Sequence, residues 1–150
     1  EIGAKVIWDP APYVQDSTGL LKFVDIVTPN VLEAESLSGI NIDNDEGLLK
    51  ALKWFKSHSK NLNPIITLGK DGVAYLNNDE LEKISSFDVN VVDSVAAGDA
   101  FVAGLTIALS NSISLDKAIV FAQANAAVSV TKQGAQSSMP AINEVQELLN

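Results

Sequence analysis

Apolar residues recur along the chain first as short continuous runs and then at helical spacing, and the change from one pattern to the other sets the order of the elements. Ala4 to Trp8 is a short, largely apolar run closed by Asp9-Pro10-Ala11-Pro12; prolines so close together cannot continue a central strand, so a strand enters a loop there. Val24 to Val27 predicts a second strand. Thr28-Pro29-Asn30 follows it as a turn, and Leu32, Ala34, Glu35 and Leu37 form a helix-friendly stretch ended by Gly39. From Asp45 to Phe55 the positions Leu48, Leu49, Leu52, Trp54 and Phe55 alternate with Lys50 and Lys53 as in an amphipathic surface helix. Pro64 to Leu68 predicts a buried strand closed by Gly69-Lys70-Asp71-Gly72, and Val73 to Leu76 another. Asn77 to Glu80 is a turn by composition, and Leu81 to Val92 suits one or two further strands.

Past Asp93 the spacing becomes helical throughout. Asp99 to Leu109, Leu115 to Thr131 and Ala141 to Leu149 predict three closing helices, with polar breaks at Asn111 and Gly134. Alternation of strand and helix in the first part argues for an α/β fold with a largely parallel sheet and helices on its faces, rather than a sandwich or a bundle. No internal repeat or low-complexity linker interrupts the 150 residues, a length suited to one core.

Composition narrows the function classes. Hydrophobic residues make up 47% of the chain and charged residues 19%, too apolar for intrinsic disorder and too evenly interrupted for a membrane span. The ten basic residues are all lysine and stand against nineteen acidic ones, a net charge of -9 that disfavours an electrostatic grip on nucleic acid. The chain has no cysteine, so disulfides, thiolate nucleophiles and zinc–thiolate sites are excluded together. No charged segment leads into an apolar one at the start, which makes a cytoplasmic address the default. Glu1 opens the chain and Met139 is its only methionine, so a processed or fragmentary sequence is expected.

Chemistry concentrates in Ser94-Val95-Ala96-Ala97-Gly98-Asp99, where an apolar strand is expected to end and a helix to begin. Amides at a helix start lack internal partners and lie at the positive end of the macrodipole, so an anionic group is welcome among small residues there. Asp99 could itself be that anion, which leaves a plainly capped helix as the alternative. Asn30 and Glu33, three apart at a helix opening, face one direction, and a simple cap is the alternative for them too. Gly69 to Gly72 reads equally as a hairpin turn. All three segments follow expected strands, and in open α/β sheets ligands collect beyond the carboxyl ends of the strands.

Taken together these segments resemble the ribokinase family of ATP-dependent sugar and nucleoside kinases. Asp9-Pro10-Ala11-Pro12, Thr28-Pro29-Asn30-Val31-Leu32-Glu33-Ala34-Glu35, Ile66-Thr67-Leu68-Gly69-Lys70-Asp71-Gly72, Asp93 to Phe101 and Thr131 to Pro140 look like family blocks in family order. Many members carry Gly-Ala-Gly-Asp where this chain has Ala96-Ala97-Gly98-Asp99. The resemblance covers the second half of the family's usual length. It implies a three-layer α/β fold with a mostly parallel sheet and helices on both faces, lacking the N-terminal half, its small β lid and its sugar-binding motif.

On this resemblance Asp99 is the general base for a sugar primary hydroxyl, and the amides of Ala96, Ala97 and Gly98 form an anion hole for the γ-phosphoryl of ATP. Phosphoryl transfer depends mainly on positioning and charge neutralisation, so helix-start amides suit it in kind. Asn30 and Glu33 match a signature that places magnesium and phosphate, through water as suits Mg2+. Thr67, Gly69 and Gly72 match a turn lying along the nucleotide, with Lys70 offsetting its charge, and Gln123 edges the adenine. A potassium site is implied at Asp93, the carbonyls of Val95, Ser129 and Gly134, and the Ser138 hydroxyl, all hard oxygens. The implied reaction converts ribose and ATP to ribose 5-phosphate and ADP, with a homodimer in the complete protein and neither nucleic acid nor membrane as partner. A catalytically silent nucleotide-binding or interaction module remains the competing reading.

Four isolated features carry plainer expectations. Ala122 to Ala127 reads as a closely packed helix seam. His58, among lysines and serines, reads as a solvated surface histidine, and Trp54 and Phe55 as core or lid residues of their helix. Asp43, Asp45 and Glu46 read as a charged helix entry, since the glycine and glutamate spacing of a calcium loop is absent.

Overall fold

The computed structural model describes residues 3–12 and 17–150, which divide into two compact units, Glu1–Ser85 and Ser86–Asn150. The first holds a five-stranded sheet in the order β1 (Ile7–Trp8), β2 (Ile26–Val27), β3 (Asn63–Thr67), β4 (Val73–Asn77), β5 (Glu80–Ile84). β1, β2 and β3 pair in parallel, whereas β3, β4 and β5 pair antiparallel, so the sheet is mixed. The reason is local: Asn78 and Asp79 adopt φ of 50° and 65°, the left-handed pair that turns a two-residue hairpin between Asn77 and Glu80. Beyond Ile84 the apolar residues to Val92 form no second strand. A short 3-10 helix at Ser17–Phe23, which periodicity does not announce, buries Leu21.

Two helices complete this unit. α1 (Val31–Ser38) ends at Gly39, whose φ of 69° is readily adopted by glycine and whose amide closes on the Glu35 carbonyl. α2 (Asp45–Lys56) starts on Asn44, whose side chain accepts from the Gly47 amide; Asp45 and Glu46 open it and Lys53 and Lys56 close it, each favourable to the macrodipole. The charged entry expected at residues 43–46 is therefore a helix start. Leu48, Ala51, Leu52 and Phe55 recur on one face and bury against Leu21, Val27, Ala34, Ile66 and Ala74. Each of the larger side chains contributes roughly 2 kcal/mol by leaving water. Ile65 points to the opposite face of β3 from Ile66 and is equally buried, as a strand with both faces covered requires.

The second unit is helical: α3 (Ala97–Ser110), α4 (Leu115–Ser129) and α5 (Ile142–Leu149). α3 and α4 approach so closely that a Cβ added at Gly104 would lie 2.9 Å from Asn125 Cβ and 3.0 Å from Ala122 Cα. This is the seam that the alanine-rich run predicted. α5 buries Val145, and Glu144 anchors its start by accepting from the Ala141 amide and pairing with Lys132 at 2.7 Å. Among the described residues no helix is long and apolar enough to cross a membrane.

Candidate functional site

In the first unit the chain leaves β2 through Thr28 and Pro29 and enters α1 at Asn30. A parallel bridge joins Asn30 to Thr67 at the end of β3, and the Thr67 amide donates to the Pro29 carbonyl at 2.9 Å. Two of the expected nucleotide-side segments thus meet at the carboxyl ends of adjacent parallel strands. Asn30 Oδ1 accepts from the Glu33 amide at 2.9 Å and Glu33 Oε2 accepts from the Asn30 amide at 2.9 Å, a reciprocal capping box. The plain cap expected as the alternative is therefore present, and it fixes where the Glu33 carboxylate sits.

Gly69–Asp71 makes a single 3-10 turn, closed by the Leu68 amide on the Gly72 carbonyl at 2.8 Å and the Gly72 amide on the Gly69 carbonyl at 3.1 Å. Gly69 at φ 61° and Gly72 at φ 100° and ψ -130° occupy backbone regions that other residues resist. Nothing lies within 4 Å of where a Gly69 Cβ would stand, so its outer side is open to close approach. Lys70 is exposed on the same turn.

In the second unit α3 begins on Ala96, held in the left-handed region at φ 62° with no side chain capping the helix. An alanine in that conformation carries about 1 kcal/mol of strain, a cost often met at functional sites. The Ala97 amide donates to the Ser94 carbonyl at 3.3 Å, a long bond within the turn, and the Ala100 amide makes the first helical bond, to Ala96. Gly98 and Asp99 are exposed in the first turn. The N-cap residue Ala96 has no side chain to take the α3 amides, and Asp99 stands three residues further on in the first turn.

No strand directly precedes α3, contrary to the expectation that an apolar strand ends before Ser94; α3 is entered from an irregular segment, which Asp93 organises. Its Oδ1 accepts from the Val95 amide and its Oδ2 from the Gly134 amide, each at 3.0 Å, and these two bonds hold its carboxyl below the usual carboxylate range. Ser129 and Ser138 are fully buried with hydroxyl oxygens 3.4 Å apart, and Ser138 donates to the Ala135 carbonyl at 2.7 Å. The Ser129 carbonyl accepts from the Lys132 amide at 3.1 Å. Asp93 thus draws Val95 and Gly134 together, and Ser129 and Ser138 meet beside that loop. Among the described residues no three histidine, aspartate or glutamate side chains converge on one point.

Gln123 is buried in α4 rather than presented on an exposed face. His58 departs from the solvated histidine expected: it is half-buried, with Nδ1 2.9 Å from the Trp54 carbonyl and its ring centroid 4.4 Å from that of Trp54, because it closes the end of α2. Trp54 and Phe55 belong to the core side of α2, as expected. Asn125 escaped the sequence reading. It donates from Nδ2 to the carbonyl of Ala100, the residue after Asp99, at 2.6 Å, and the signal in the sequence was a second side-chain amide, after Gln123, in an alanine-rich run.

Fold and junction together define an α/β carbohydrate kinase segment: the model of the pfkB family of carbohydrate kinases matches residues 2–142, and the chain belongs to that family. Within it the chain is most usefully compared with ribokinases. It is 43% identical to a ribokinase of Haemophilus influenzae over 98% of this chain and 48% of that protein. A ribokinase of Staphylococcus aureus is 34% identical over 97% of this chain and 48% of its own length. The solved ribokinase of Thermotoga maritima superposes with a TM-score of 0.88 at 36% identity, over 99% of this chain and 50% of that one. That of Arabidopsis thaliana, solved with ribose and ATP, gives 0.86 at 29% identity over 98% and 48%. The chain spans about half the length of the curated relatives it matches.

Proposed function

We propose that the chain is the nucleotide-binding, catalytic-base half of an ATP-dependent sugar kinase that phosphorylates the primary hydroxyl of ribose. The observation that carries this reading is the start of α3, where uncapped small residues stand beside an exposed carboxylate. Asp99 accepts the proton of the attacking hydroxyl while the amides at Ala96, Ala97 and Gly98 receive the transferring phosphoryl oxygens. The loose transition state of phosphoryl transfer asks little basicity of Asp99 and much of the amides. Similarity to a ribokinase solved with ribose and ATP supports the choice of substrates.

Mg2+ and K+ fit the residues at hand. Glu33 keeps Oε1 outside the capping box, and a single carboxylate with water suits the small, strongly hydrated cation that neutralises ATP. Around Asp93, the carbonyls of Val95, Ser129 and Gly134 and the Ser138 hydroxyl supply hard oxygens for an alkali cation next to the anion hole. In the first unit Thr67, Gly69, Lys70 and Gly72 are the residues offered to the nucleotide; Gln123, which the family resemblance implies at the adenine, is buried in α4. A cytoplasmic address and a homodimer of the complete protein complete the reading and rest on the family resemblance alone. A catalytically silent nucleotide-binding module is the second reading.

Transfer of the labelled γ-phosphoryl of ATP to ribose by the complete protein tests the proposal. Labelled ribose 5-phosphate is expected, dependent on Mg2+ and raised by K+. Binding of an ATP analogue without transfer to any sugar would select the silent module instead.

A further inference from the structure

We propose that Asn125 is a positioning residue for phosphoryl transfer: its side-chain amide, donated to the Ala100 carbonyl, fixes the first turn of α3 and with it the direction of Asp99 and the Gly98 amide. The inference rests on the reading of Asp99 given above.

The start of α3 differs from those of α1 and α2. Asn30 and Asn44 fix those two helices from within by side-chain caps, whereas α3 begins on Ala96 with no capping side chain. A cap at that point would take the very amides the phosphoryl group needs, so the turn has to be held from elsewhere. Asn125 does so from α4. It is 7% exposed in an alanine-rich run that it shares with the buried Gln123, where an amide is costly unless bonded. Its Nδ2 lies 2.6 Å from the carbonyl of Ala100, the residue directly after Asp99.

Gly104 makes this reach possible. One turn beyond Ala100, it presents bare backbone to Ala122 and Asn125, and any Cβ would meet them at 3.0 Å or less. Close approach at Gly104 and the hydrogen bond at Ala100 are two attachments one turn apart, which together resist rotation of α3 about its axis. A side-chain oxygen roughly 5 Å from a helix axis moves about 1.7 Å for a 20° roll. Displacements of about 1 Å in a reacting group cost on the order of a hundredfold in rate. A bond far smaller in scale than the seam therefore governs the geometry of the base.

The test compares Asn125→Ala and the near-isosteric Asn125→Asp with Asp99→Asn in the complete protein, by steady-state kinetics with ATP and ribose and by amide hydrogen exchange. Expected are a fall in kcat of about thirty- to hundredfold with both KM values within about threefold, and faster exchange at residues 100–104 with α4 unchanged. If Asn125→Ala fails to fold, Asn125→Ser replaces it and the same split is expected. Unchanged kcat in folded Asn125 variants, or equal loosening of α3 and α4, overturns the inference while an inactive Asp99→Asn leaves the site reading standing. Undiminished turnover in Asp99→Asn overturns the reading of Asp99 as base, and with it the inference.

Discussion

Asp99 is a carboxylate without a structural duty: it neither caps α3 nor lies in the core, and its neighbours are Gly98 and alanines. Asp99→Asn keeps size and polarity but removes the proposed base, so transfer in the complete protein should fall by at least about a hundredfold with ATP affinity nearly intact; turnover near the wild-type level would refute the assignment. Gly104 has the opposite character, since its role is steric. Gly104→Ala pushes a methyl group to 2.9 Å from Asn125 Cβ, and a loss of about 2 kcal/mol in urea unfolding is expected, read as a lower midpoint at unchanged slope. At this scale the sequence is legible where a residue type has one use in its place. Gly39 announced a helix end and Asn78-Asp79 a tight turn because few conformations suit them there. Asn125 stayed hidden because its meaning lies in a carbonyl 25 residues away, which no spacing rule reaches.

Among the elements, α1 and α5 show how caps and charges do separate work. Glu33→Gln preserves the capping box, since either side chain accepts from the Asn30 amide, so thermal stability should change little while the Mg2+ concentration needed for activity rises several-fold. Asn30→Ala removes the cap itself and should cost about 1 kcal/mol in denaturant unfolding. α5 depends on Glu144, whose pKa is lowered first by its hydrogen bond to Lys132 and then by the Ala141 amide. A carboxyl depressed on folding stabilises fully above its unfolded pKa of about 4.3, and that contribution is lost as pH falls through the lower folded value. Acid should therefore release α5 early, and Glu144→Gln should flatten this part of the stability profile between neutral pH and pH 3; an unaltered profile would contradict it. Helices of this kind are written in local spacing, and all five were readable. The sheet was less so, because β1 and β2 are two residues long and pairing direction is a relation between distant segments. The 3-10 helix at Ser17–Phe23 has no periodic signature to read.

Over the whole molecule, family membership follows from blocks spread along nearly the entire chain, whereas the proposed chemistry rests on a few atoms at one junction. The ordered blocks made the family visible in the sequence, and the fold bears it out. Within the first unit Asn30 lies beside Thr67, and within the second Asp93 holds Val95 and Gly134, and both groupings were legible in the sequence. Sugar selectivity is not legible, since the chain matches about half of each relative. Whether the α3 start receives the γ-phosphoryl group beside a base is read from a crystal structure of the complete protein with ribose and a non-hydrolysable ATP analogue. Expected are a γ-phosphate oxygen within about 3 Å of the Gly98 amide and the ribose primary hydroxyl within hydrogen-bonding distance of Asp99. A γ-phosphate bound away from these amides, with Asp99 facing bulk water, would overturn the proposed role of this helix start.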